Sequence, residues 1–232
     1  MIADGLRRAL TLLLAADPEV LGIAELSLRV ALVATALACL IGIPLGFLLG
    51  TTRFRGRRTA LTVLNTMLAF PTVLVGLLVW LLLARSGPLG SLGLLYTWWA
   101  IVLAEVLLAA PIAAALTAAA VQGVDPRVRR TALTLGAPTW RVHWVVAREA
   151  RYALFSAVVV AFGRVLAEVG AAMIVGGNIR HHTRTFTTAI ALATSQGDFA
   201  LAIALGLVLL ALALTVNVLL HMLQGHGDAL GT

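Results

Sequence analysis

Residues 125–177 read DPRVRRTALTLGAPTWRVHWVVAREARYALFSAVVVAFGRVLAEVGAAMIVGG, and the rest of the chain is organised around this stretch. It has three parts. A short basic helix comes first, with both ends marked. Asp125 is placed to cap it, Pro126 suits its first turn, and Gly136 followed by Pro138 stops it. An aromatic and basic bridge follows over residues 140–151. A long apolar run over residues 152–175 closes the stretch, interrupted by Arg164 and Glu168. A charged, capped helix set between membrane-like runs suggests a docking element. Charges inside an apolar run point to a pathway or to a buried structural pair.

Composition sets the class. Of the 232 residues, 61% are hydrophobic and 12% charged, and the mean hydropathy is +1.01. A soluble domain averages about 45–50% apolar and about 25% charged residues, so the chain reads as an integral membrane protein. The net charge is +7, and all 17 basic residues are arginine. Arginines flanking membrane helices on the cytoplasmic side account for that charge, with no need for a nucleic-acid partner. Without lysine there is no P-loop lysine and no Schiff-base lysine. If ATP drives this protein through a P-loop, a partner must supply the loop. Cys39, the single cysteine, lies in an apolar run and reads as a small packing residue.

A membrane span needs about 20 apolar residues. Five runs qualify: residues 26–49, 60–83, 98–121, 152–175 and 199–220. Residues 6–16 are too short and read as an interfacial helix. They are followed by Asp17-Pro18-Glu19 and not by a small-residue cleavage site. Residues 178–198 read as a polar loop carrying Arg180-His181-His182 and several threonines. Ten arginines (53, 55, 57, 58, 127, 129, 130, 141, 148, 151) fall on one side and six (7, 8, 29, 85, 180, 184) on the other. That bias puts the 125–151 segment in the cytoplasm, the N-terminus outside and the C-terminus inside. No polar stretch is long enough to fold alone, so the chain reads as one domain.

Enzyme motifs such as HExxH, GxSxG and CxxC are absent. His181-His182 offers a metal or pH role, but adjacent histidines without an acidic or cysteine neighbour are more often solvent-exposed. His143 reads as packing. Asn65 and Glu105 are polar groups inside spans, suited to interhelical hydrogen bonds, and for Glu105 a pathway role is equally open. Arg164 and Glu168 stand four residues apart, on one face of a helix, about 18 Å along it from Tyr152 and so near mid-bilayer. They read either as a self-neutralised pair or as a cationic face on an anion path, and the two readings are compatible. Gly176-Gly177 reads as a helix stop or as a gate near the outer mouth.

The segment that opens at Asp125 resembles the EAA loop of the transmembrane permease subunits of bacterial ABC importers. That loop has an acidic-Ala-Ala start and a glycine four residues after the second alanine. Ala132 and Gly136 match, whereas Arg130-Thr131 replace the Glu-Ala opening and Arg148-Glu149 stand where many members have Leu-Pro. Phe162-Gly163-Arg164 and Glu168-Val169-Gly170-Ala171 resemble the molybdate, tungstate and sulfate branch. Met173-Ile174-Val175-Gly176-Gly177-Asn178-Ile179 and the threonine-rich run that follows look most like the tungstate permeases.

The resemblance implies an all-α, polytopic permease of the type I (MetI-like) importer fold, with about five transmembrane helices plus a short N-terminal helix and a coupling loop at about 122–151. It implies a homodimer in the plasma membrane of a bacterium or archaeon, two cytoplasmic ABC ATPase subunits, and an extracytoplasmic oxyanion-binding protein. The chain itself would bind no cofactor and no metal, and the ATPase subunits would use ATP and Mg2+. Asp125, Arg130, Ala132, Leu135, Gly136 and Ala137 would couple to the ATPase. Arg164, Glu168, Gly170, Asn178 and Glu105 are the candidates for the substrate pathway. An ATP-independent carrier or an assembly scaffold is the alternative from another class.

Overall fold

The structure is a computed structural model that describes residues 17–52 and 54–228, together with Arg7 and Thr11. The helix expected over residues 6–16 lies outside the described residues apart from those two. Among the described residues there are ten α-helices and no strand: α1 Pro18–Thr51, α2 Arg57–Leu68, α3 Thr72–Leu83, α4 Trp98–Gly123, α5 Pro126–Thr134, α6 Thr139–Glu149, α7 Arg151–Leu166, α8 Gly170–Gly176, α9 Phe186–Ser195 and α10 Phe199–Asp228. A single 3-10 turn, Gly90–Leu92, sits in the loop before α4.

The centre is the pair α1 and α4. Asp17 caps α1 by accepting from the Glu19 amide at 2.8 Å, and Pro18 occupies the first turn. Gly42, Gly46 and Gly50 then face Ala110, Ala113, Ala114, Thr117 and Val121 of α4. A Cβ on Gly42 would stand 2.6 Å from the Ala110 carbonyl oxygen, so the two backbones meet only because that position is glycine. Small residues are how helices pack in lipid, where burial of apolar surface gives no net drive. Of the most apolar window in α4, 61% is buried, against 17% in α10. Thus α4 is the core of the bundle and α10 its exposed rim.

Among the described residues, three helices are long and apolar enough to cross a membrane, and up to five spans result if each bent pair counts as one. The upper figure equals the five apolar runs, but two runs are not the continuous helices the sequence suggests. Residues 60–83 break at Ala69–Pro71, and α2 and α3 meet at 96°. Pro71 lacks an amide hydrogen and disfavours helix at Phe70. Asn65 consequently lies exposed on α2, before the bend, and not on one continuous helix with residues 72–83. Residues 152–175 break between α7 and α8, with a bend of 57°. Residues 178–198 are not a loop throughout, because α9 fills half of them. Its start is fastened by a capping box, in which Thr185 and Thr188 each accept from the other's backbone or side chain. Phe186 anchors α9 in the core, fully buried with Val20, Ile23 and Leu205.

Candidate functional site

Three places on the molecule carry polar chemistry. They lie along α1, whose ends from Glu19 to Gly50 are roughly 46 Å apart.

At the Gly50 end sits the capped helix α5. The Asp125 carboxylate accepts from the Arg127 amide at 2.8 Å, and Pro126 holds the first helical position. The helix closes with a full Schellman motif. The Ala137 amide donates to the Ala132 carbonyl, the Gly136 amide donates to that of Leu133, and Gly136 has φ +75°. Leu135 is 81% exposed and Leu133 52%, whereas Ala132 is 8% exposed. The surface offered at the tip is therefore Leu133 and Leu135. Ala132, a candidate contact by motif, faces inward instead. Arg130 is exposed, with Nε donating to the Pro126 carbonyl at 3.4 Å. Behind α5 lies a cavity of about 330 Å³ lined by Gly50, Arg57, Gln122, Asp125 and Arg129. The bridge becomes α6, which buries Val142 and Val146 and leaves Trp140 and Trp144 exposed. His143 packs edge-on against Phe47, with ring centroids 5.8 Å apart.

The middle site is a buried node on Glu168. Its carboxylate makes an ion pair with Arg164 at 2.7 Å, with side-chain exposures of 3% and 34%. Its Oε1 also accepts from the Ala171 amide at 3.1 Å, which caps the start of α8. Its backbone carbonyl accepts from the Thr187 hydroxyl of α9 at 2.5 Å. Glu168 therefore lies in the break, not on a continuous helix face, although the pair to Arg164 forms. Glu105 of α4 is 2% exposed, and among the described residues its Oε2 has no hydrogen-bond partner. Glu105 and Glu168 face one void of about 20 Å³, alongside Ser27, Thr185 and Thr187. That is room for about one water. Gly170 lets α8 approach α3, since a Cβ there would stand 3.0 Å from Thr72 Oγ1 and Val73 Cγ2.

Asn178 lies apart from this node. It has φ +51°, follows Gly177 at φ +68°, and donates from its amide to the Thr188 carbonyl at 3.2 Å. Gly177 acts as the helix stop of α8. Of the five pathway candidates, then, the fold brings Glu105, Glu168 and Arg164 together, gives Gly170 a packing contact, and places Asn178 in the threonine-rich turn. The run Thr183, Thr185, Thr187 and Thr188 stood out in the sequence, but its junction with Ser27 did not. Ser27 reaches the Phe186 amide across the fold at 2.8 Å, and Thr183 donates to the Gly176 carbonyl.

The third place is the Glu19 end of α1. Arg180 grips the Glu19 carboxylate with two nitrogens, Nε at 3.1 Å and Nη2 at 2.6 Å, and Arg184 Nη1 adds a third bond at 3.0 Å. His181 and His182 are exposed, and no group of three or more potential metal ligands exists among the described residues.

Comparison with known proteins agrees with this architecture. Residues 42–228 match a family described as "Binding-protein-dependent transport system inner membrane component". The chain is 44% identical over 223 residues to the tungstate uptake system permease protein TupB of Peptoclostridium acidaminophilum, covering 96% of this chain and 98% of that one. It is 42% identical to the tungstate uptake system permease protein TupB of Campylobacter jejuni subsp. jejuni serotype O:2, covering 96% and 93%. Among solved structures, an inward-facing MetNI methionine ABC transporter superposes with a TM-score of 0.72 at 18% identity, over 86% of this chain and 91% of that one. At that identity the likeness speaks for the fold.

Proposed function

The chain belongs to the binding-protein-dependent transport system inner membrane component family, and on that premise we propose that it is the permease of an ATP-driven importer for a tetrahedral oxyanion. Tungstate is the first candidate, followed by molybdate and sulfate. The observation that carries the reading is the near-full-length similarity to two tungstate uptake permeases, joined to a capped helix that exposes Leu133 and Leu135 between membrane helices. Residues 1–232 act as one permease domain whose coupling loop spans about 122–151.

In this reading two copies of the chain form the pathway, and two cytoplasmic ATPase subunits hydrolyse ATP with Mg2+. An extracytoplasmic protein captures the anion and does most of the discrimination among similar dianions. The locally fastened α5 transmits ATPase closure through Leu133, Leu135 and the Gly136 turn. The N-terminus faces outward and the C-terminus the cytoplasm, in the plasma membrane of a bacterium or archaeon. Arg164 presents a partly exposed guanidinium, and Glu168 holds it in place. That supports a role for Arg164 in attracting the anion.

The test is tungstate uptake into vesicles holding the permease, its ATPase and its binding protein. ATP-dependent uptake is expected. Uptake driven by an ion gradient without any ATPase would favour the carrier reading. Orientation is checked separately with Thr139→Cys in a Cys39→Ala background. In intact cells an impermeant thiol reagent applied outside should leave it unlabelled, and efficient labelling would reverse the topology.

A further inference from the structure

At the Glu19 end, a cavity of about 220 Å³ is lined by Glu19, Glu25, Arg29, Arg180, His181 and Arg184. Its three guanidiniums outnumber its two carboxylates by one positive charge. Water takes up about 30 Å³ per molecule, so the space suits several waters, more than an anion of five heavy atoms requires. We propose that this cavity is an anion subsite in which Glu19 is a placeholder: a tetrahedral oxyanion displaces the Glu19 carboxylate from Arg180 and Arg184.

The geometry supplies the reasons. Arg180 holds Glu19 as a fork, with Nε and Nη2 on the two carboxylate oxygens, and Arg184 shares one of those oxygens. A guanidinium fork fits two oxygens of a tetrahedral oxyanion as it fits a carboxylate. The arginine site is thus already shaped for the ligand, with a side-chain carboxylate in it. Among the described residues, Arg184 Nε is buried and has no hydrogen-bond partner. A buried donor left unmade is costly, and a ligand with four oxygens satisfies it where two carboxylate oxygens do not. Arg29 leans its guanidinium over the Trp98 ring, 4.5 Å from the centroid, on the same cavity. A dianion cannot enter while Glu19 stays, because like charges in one small site repel. Entry therefore requires exchange. The exchange releases the loop between α8 and α9 from α1, since Glu19 alone ties Arg180 and Arg184 to that helix by ion pairs among the described residues.

This subsite rests on the oxyanion reading above, and the experiment separates the two. The permease is assembled with its ATPase subunits in nanodiscs, without the binding protein, and tungstate binding is measured by equilibrium dialysis at low salt. Glu19→Gln should bind tungstate about tenfold tighter than the unaltered chain, and adding Arg184→Met should remove the gain. A purely structural clamp predicts the opposite sign, because loosening it disorders the arginines. Binding by Glu19→Gln that is equal to or weaker than that of the unaltered chain overturns the subsite. If Glu19→Gln does not assemble, Glu19→Asp is used for the same comparison, since its shorter side chain cannot span both arginines. ATP-driven tungstate uptake by the complete system, with no response of binding to Glu19, overturns the subsite and leaves the import reading standing. If the complete system takes up none of tungstate, molybdate and sulfate, the import reading falls and the subsite with it.

Discussion

Residues 125–137 and the node around Glu168 belong to one continuous stretch, yet they are built on opposite plans. In the first, every hydrogen bond that shapes the segment closes within five residues, from the Asp125 cap to the Ala137 amide on Ala132. In the second, Glu168 is held by Arg164, by its own cap on Ala171, and by Thr187 from 19 residues away. It also shares a void with Glu105 of α4. A segment with only local bonds can move as a rigid unit on its neighbours. A node tied into α7, α8 and α9 and packed beside α4 moves only when those helices move together. The contrast suits a device that receives a push at one place and must transmit it at the other.

The strongest way to break this comparison is Glu168→Ala. It removes the ion pair and the α8 cap at once and leaves the Arg164 guanidinium without its partner, at a cost of about 3 kcal/mol. Less inserted protein and a lower melting temperature of the purified assembly are expected. The double variant Arg164→Met, Glu168→Gln strands no charge and should recover most of that stability. Oxyanion uptake per inserted permease should stay below about a tenth of normal in the double, a penalty of more than about 1.4 kcal/mol. Restored uptake would reduce the pair to a structural element.

Gly136→Val sharpens the other side. A β-branched residue at φ +75° costs about 1–2 kcal/mol, but only locally. Insertion and overall melting should hardly change, while uptake and substrate-stimulated ATP hydrolysis in reconstituted vesicles are lost. Normal coupled hydrolysis would show that the turn does not present Leu133 and Leu135 in the required way.

Asp125→Ala is the mildest of the three. Loss of one N-cap costs about 1 kcal/mol, so α5 frays and uptake falls by about fivefold at most. A fall as large as that for Gly136→Val would mean that the carboxylate contacts the ATPase directly. No change at all would mean that the neighbouring helices alone hold α5.

What was readable followed the same divide. The caps of α5, its Schellman turn and the helix stop at Gly177 are local devices, set by residue type and a few neighbours, so Asp125, Pro126, Gly136 and Gly177 announced them. The Arg164–Glu168 pair was also legible, because a spacing of four is a local relation. The inward turn of Ala132 was not, since it depends on how α5 packs on α6. Nor was the exposed tip residue Leu133, which the motif does not single out.

By itself the sequence determined that this is an all-helical membrane chain with about five apolar runs, one capped basic helix between them, and two charges inside the fourth run. Hydrophobic length and capping residues act over a turn or two of helix, so no tertiary contact is needed to read them. Only the tertiary structure decided that two of the runs are bent at 96° and 57°, that residues 186–195 form a helix rather than a loop, and that Glu105 meets Glu168. It also decided that Glu19 holds Arg180 and Arg184, more than 160 positions away. A break in a lipid-spanning run survives only where distant groups satisfy its backbone. At the α7–α8 break that group is the Thr187 hydroxyl on the Glu168 carbonyl, 19 residues away, which reaches its place only once the helices have packed.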